Sequence, residues 1–225
     1  MSKKVAIAIL LVVVLIAVIV AIIFATQLSS FNGATVGVHV GDSFTYSIVG
    51  VSTLIGLDAV ETPGFSQHNQ TDFFKITITE VNGTSVSFDI LWRFLNGTEN
   101  TNKETIDVSN GNKSHPDAFW AIYPPNLTVE DLIRPTGYDG LTVNLTDNRA
   151  YSDSTRESNF WFLENEFFNI NDPSRSTFRY EYIGVYFDKQ TGMLETLSNY
   201  TEYNNPAKSE VITWNLVNST VWAVQ

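Results

Sequence analysis

The stretch "DFFKITITEVNGTSVSFDILWRFLNG" occupies residues 72–97. Phe74, Ile76 and Ile78 alternate with Lys75, Thr77 and Thr79. Successive side chains of a strand point to opposite faces, so a period of two marks a half-buried β-strand. Asn82-Gly83 follows. That pair favours a two-residue type I′ turn, whose central positions need positive φ. Val86, Phe88, Ile90, Trp92 and Phe94 then alternate on the way back, and Asn96-Gly97 starts another turn. The stretch predicts an antiparallel meander with one apolar face.

The same pattern extends both ways. Upstream, "SFTYSIVG" places Phe44, Tyr46 and Ile48 on one side. Downstream, Ile106 and Val108 form a weaker strand closed by Asn110-Gly111. In "TFRYEYIGVYFDKQTGMLETLSNYTEY", residues Phe178, Tyr180 and Tyr182 alternate. Gly184 reads as a bulge that resets the face toward Val185 and Phe187. Asp188 to Gly192 is a turn, because Asp bonds nearby backbone and Gly supplies a left-handed residue. After a turn at Asn204-Asn205-Pro206, Ile212, Trp214 and Leu216 alternate.

The middle of the chain is less regular. "DAFWAIYPP" predicts one helical turn stopped by Pro124-Pro125. "LTVEDLIRP" predicts a short helix capped by Thr128, with Asp131 three residues on and Pro135 ending it. One apolar face must be covered, by curling or by a second layer. Long strands and little helix favour curling. The expected fold is mainly β (α+β): a large curved antiparallel sheet, half-barrel or open barrel, with a few short helices, over residues 41–225.

Residues 5–25, "VAIAILLVVVLIAVIVAIIFA", carry no charge. As a helix these residues would span about 30 Å, the thickness of a hydrocarbon core. Cleaved signals have shorter apolar regions followed by small residues at the cut, and Thr26-Gln27-Leu28-Ser29-Ser30 offers no such site. The run therefore reads as a retained transmembrane signal-anchor, with the lipid bilayer as its partner. Lys3 and Lys4 flank its start, and positive flanks stay in the cytoplasm. The expected organisation is a cytoplasmic 1–4, a transmembrane 5–25, a tether over 26–40 and an extracytoplasmic domain.

Beyond the anchor stand 11 basic and 24 acidic residues, a net charge of −13. That excludes nucleic acid and anionic lipid surfaces, which need a basic footprint. The absence of cysteine excludes thiol catalysis and disulfides, leaving the core alone to hold an exported domain.

The combination "GVHVGDSFTYSI", "FDILWRFLNGTE" and "VYFDKQTGMLETLSNYTEY" resembles a group of archaeal membrane-anchored exported proteins. The shared marks are the apolar N-terminal segment, a Gly-Asp-x-Phe-x-Tyr strand and a Tyr-Phe-Asp-x-x-Thr-Gly hairpin. The resemblance implies no activity. The 188–192 hairpin is also similar to one in the periplasmic lipoprotein-carrier fold, which implies a curved sheet with helices on its concave side and room there for an apolar molecule.

Chemistry is sparse. Sequons occur at Asn69, Asn82, Asn96, Asn112, Asn126, Asn144, Asn199 and Asn218, which on an exported domain are expected glycosylation sites. His39, His68 and His115 lack metal-ligand spacing. Glu157, Glu164 and Glu166 are the carboxylates to consider for a glycosidase-like pair. Asp147, Asp153 and Asp172 lie in polar loops without the calcium-loop pattern. No catalytic residue, metal site or cofactor is expected. Trp92, Trp120, Trp161 and Trp214, with Phe119 and Phe160, are the residues to line a concave pocket for an apolar or sugar ligand, or else to fill a core.

Three functions are consistent with these features. The first is anchored, non-catalytic binding of a ligand or envelope protein, or a structural role in the cell envelope. The second is a pilin-like filament subunit with a glycosylated β head. The third is an anchored hydrolase, which requires a site that the sequence does not display.

Overall fold

The computed structural model describes residues 34–114 and 120–224. The expected transmembrane segment and its flanks, His115 and Phe119 lie outside these. Among the described residues no helix is long and apolar enough to cross a membrane.

Among the described residues nine strands follow one another: β1 Ser43–Leu54, β2 Thr71–Asn82, β3 Ser85–Phe94, β4 Glu99–Asp107, β5 Leu145–Ala150, β6 Thr155–Phe168, β7 Phe178–Asp188, β8 Leu194–Asn204 and β9 Ala207–Ser219. They form one antiparallel sheet in the order β4-β3-β2-β1-β9-β8-β7-β6-β5. The first and last strands pair at its centre, with Ile48 opposite Trp214. Every other join between neighbours is a hairpin, as the alternating sequence requires.

The inward residues follow the expected period. Phe44, Tyr46, Ile48, Phe74, Ile76, Ile78, Val86, Phe88, Ile90 and Ile106 are all buried. β4 and β5 end the sheet and do not pair with each other. Both edges are polar ("ENTNKETID", "LTDNRA"), which discourages edge-to-edge association. Neighbouring strands lie about 4.8 Å apart, so β4 and β6 would be about 34 Å apart in a flat sheet. Asn100 of β4 and Trp161 of β6 nevertheless line the same cavity. The sheet bends to bring them together.

Several local expectations are corrected. The β2–β3 turn centres on Gly83-Thr84, because Asn82 itself pairs with Ser85. Only Gly83 has positive φ, at 60°, so a turn of type I′ is ruled out. No bulge occurs at Gly184, where β7 pairs continuously with both neighbours. The register shift lies beyond it, where Tyr186 faces Thr196 and Phe187 faces Leu194, leaving Glu195 as the extra residue. Gly184 instead sits beneath the rings of Tyr182 and Phe160. The face of Tyr180 and Tyr182 is thus the outer one, and Ile183, Val185 and Phe187 point inward.

The expected helix at 127–135 is absent. Thr128 and Asp131 do close a turn, with Thr128 N donating to Asp131 Oδ2 at 2.7 Å. Glu130 then adopts φ 74°, and its N–H donates to the Val143 carbonyl at 2.9 Å. Ile133 N likewise donates to Leu141 O at 3.0 Å. Extended pairing with 141–143 has displaced the helix. Residues 120–125 are also non-helical. Among the described residues the one helix is a 3-10 helix, Phe65–Gln70, which covers the centre of the sheet through the buried Phe65.

Candidate functional site

The inner face is not completely filled. A cavity of about 600 Å³ lies over it, within the range of small-molecule sites. β2 and β3 give Phe74, Ile90 and Trp92; β6 to β8 give Trp161, Leu163, Ile183, Val185 and Leu197; β9 gives Trp214. His68 enters from the 3-10 helix, and Asn100, Asn102 and Glu104 from β4. The segment after β4 adds Lys113, Trp120 and Tyr123.

Trp92, Trp120, Trp161 and Trp214, distant in sequence, therefore line one space. Phe160 does not join them. It neighbours Trp161 on β6, so it points to the outer face, where its ring meets Tyr186 at 4.6 Å and Phe162 at 6.2 Å.

Aromatic contacts hold the walls. Phe74 and Trp214 meet edge to face at 4.7 Å, and His68 stacks on Trp92 at 6.2 Å. The Trp92 indole N–H donates to Thr71 Oγ1 at 2.8 Å. Burial lowers the pKa of His68, and its buried Nδ1 has no hydrogen-bond partner.

The segment between β4 and β5 forms the floor. Ala121, Ile122, Tyr123, Ile133 and Val143 are buried in it. It is fastened to the β7–β8 turn: Tyr123 N donates to Gly192 O at 2.9 Å, and Leu194 N to Ala121 O at 2.9 Å. That turn has the expected chemistry. Asp188 Oδ1 accepts from Thr191 N and Thr191 Oγ1, both at 2.7 Å, and Gly192 has φ 76°. A Cβ on Gly192 would overlap the Tyr123 carbonyl, so glycine is needed for the approach as well as the turn. Burial pushes the Tyr123 phenol up to about 12.

Two cations lie against the Trp120 ring. Arg134 Cζ lies 3.8 Å and Lys113 Nζ 4.5 Å from its ring centroid. Arg134 is buried and ion-paired with Asp139. Trp120 Nε1, Trp161 Nε1 and Arg134 Nη2 are buried nitrogens without a hydrogen-bond partner.

The remaining residues singled out in the sequence lie elsewhere. Glu157 is ion-paired with Lys189 at 3.1 Å. Glu164 accepts from the Tyr180 hydroxyl at 3.0 Å on the outer face, alongside Glu166 at the next outward position. Asp172 is occupied by Ser174 Oγ at 2.5 Å, Ser176 Oγ at 2.6 Å and Thr177 N at 2.9 Å. Those bonds hold its carboxyl below the usual range. Asp147 accepts from the backbone of Asn148, and Asp153 from the Ser154 hydroxyl. His39 sits beside Asp42, away from the cavity. No group of acidic or histidine residues among the described positions could hold a metal.

Seven sequon asparagines (Asn69, Asn82, Asn96, Asn112, Asn126, Asn144 and Asn218) are exposed. Asn199 is different: it is half-buried and lines the cavity. Strand parity is the signal that placed it there, since Leu197 and Asn199 share a face of β8. Sequence reading also passed over Glu104, Lys113 and Asn102, whose polar characters give no hint of an inward position.

Comparison of the chain with protein-family models and with curated protein sequences finds no match.

Proposed function

We propose that this protein binds an apolar small molecule on the inner face of its sheet, without chemistry, as a domain held at the outer side of a membrane by residues 5–25. The bent sheet acts as a half-barrel around the ligand. The observation that carries the reading is the cavity of about 600 Å³ lined by Trp92, Trp120, Trp161 and Trp214. Apolar walls facing such a space are unfavourable in water, and an apolar molecule that covers them removes that cost. Sugars fit it less well than apolar molecules. Each sugar hydroxyl brings a polar group to satisfy, and an unmet one costs about 1–3 kcal/mol. Anchoring is supported by the length of the apolar run, and the outward orientation by Lys3 and Lys4.

Solvent extraction of the full chain, purified from its own cells, tests the binding. One equivalent of an apolar compound is expected, and Leu163→Trp, which narrows the cavity, should reduce the yield. Wild-type protein that yields nothing would contradict the reading. Protease shaving of intact cells tests the topology: the domain should be digested without lysis.

A further inference from the structure

We infer that the ligand of this cavity is an uncharged apolar molecule bearing a hydrogen-bond-accepting oxygen, in the chemical class of ketones, quinones and esters. The inference rests on the binding function proposed above and specifies what is bound.

Indole nitrogen donates and never accepts. Trp120 Nε1 is buried on a lining residue without an acceptor. A buried donor left unmet is unfavourable by about 1–3 kcal/mol, so a molecule that brings an acceptor gains what the apoprotein lacks. Trp92 shows the contrast, since its N–H is already committed to Thr71.

Charge points to a neutral ligand. Lys113 and Arg134 flank Trp120, but Glu104 stands on the same wall as Lys113 and Asp139 pairs with Arg134. The two cations are thus matched by two anions. A carboxylate ligand would meet no net attraction and would lose its water. A carbonyl oxygen avoids that desolvation and still accepts from the Trp120 indole. The two cations on the Trp120 ring also polarise its N–H, making it a stronger donor than an isolated indole.

A shape-matched pair of probes decides the matter. 2-Acetylnaphthalene and 2-isopropenylnaphthalene differ essentially in a carbonyl oxygen replaced by methylene. Equilibrium dialysis of the full chain in lipid nanodiscs, corrected against empty discs, should show the ketone binding about tenfold more tightly, the worth of one well-made buried hydrogen bond. Trp120→Phe keeps the ring and removes the N–H, and should shrink the ratio to about twofold or less. Trp222→Phe also removes an unpartnered indole N–H, but away from the cavity, and should leave the ratio intact. Equal wild-type affinity for the two probes would overturn the assigned ligand class while leaving apolar binding in place. Failure of both probes to bind would overturn the binding function, and the ligand class with it.

Discussion

Arg156 grips Asp188 with two nitrogens: Nε lies 2.7 Å from Oδ2 and Nη2 3.0 Å from Oδ1. The pair joins β6 to the turn that carries the cavity floor. Asp188 is wholly buried and also organises Thr191. Removing the cation while leaving the carboxylate uncovers a buried charge. Arg156→Met should therefore lower stability by about 3 kcal/mol, read as a shift in the urea midpoint at constant slope. A shift below about 1 kcal/mol would place the pair among weak surface contacts.

Gly192 links that turn to the floor through Tyr123. Its left-handed φ and the contact with the Tyr123 carbonyl both exclude a side chain. Gly192→Ala should cost about 3 kcal/mol or more, from backbone strain together with the displaced segment. The same variant should expose backbone amides near 121–123 to hydrogen exchange before the central strands open. Unchanged protection there would show that the floor is not fastened at this turn.

Two buried carboxyls should give opposite pH signatures. Burial raises Glu195 above its ordinary 4.5, although Tyr151 donates to it and Arg149 lies 3.4 Å away. The folded state then holds the proton more tightly than the unfolded one, so stability falls as pH rises from 4.5 through the raised value. Burial also works upward on Glu210, but bonds from Thr62 and Lys208 outweigh it and hold the carboxyl below 4.5. Its contribution is complete above 4.5 and lost as pH falls through the folded value. Urea midpoints from about pH 3 to about pH 8 separate the two. Glu195→Gln should remove a loss of stability on the alkaline side of 4.5, and Glu210→Gln a loss on the acid side. Parallel profiles for the two variants would contradict these assignments.

The sequons divide the same way. A glycan on Asn199 and a ligand in the cavity exclude one another, whereas the other seven asparagines are exposed. Glycopeptide mapping of protein from its own cells should find Asn199 bare while exposed sites carry sugar. Occupancy at Asn199 would rule out a ligand-filled cavity in the same molecule.

What the sequence made legible follows from local physics. Period-two alternation located the strands around Tyr46, Ile76, Phe88 and Trp214, and Asp188 with Gly192 announced their turn. The failures share a cause. Thr128 and Asp131 do make the local cap-like contact, but Glu130 obeys a partner 13 residues away in Val143. Gly184 reads as a bulge because Phe178, Tyr180 and Tyr182 alternate at even positions before it, whereas Val185 and Phe187 alternate at odd positions after it. In the fold both faces of β7 carry large side chains, one of which roofs the glycine. For the site, alternation gave Trp92 and Trp214 their faces, but at Phe160-Trp161 either ring suited an inward position until the pairing of β6 fixed the parity. His68, Glu104 and Lys113 reach the cavity only through the bend of the sheet, a long-range property that no short window encodes.

Four tryptophans from separate parts of the chain line one cavity. The chain has five in all, and the fifth, Trp222, packs against Phe44 and Arg156 outside the cavity. Fluorine NMR of full-length protein labelled with 5-fluorotryptophan, titrated with 2-acetylnaphthalene, reads all five at once. The resonances of Trp92, Trp120, Trp161 and Trp214 should move together along a single saturable curve while Trp222 stays still. Four resonances that remain in place at saturation, or five that drift alike without saturating, would contradict the account.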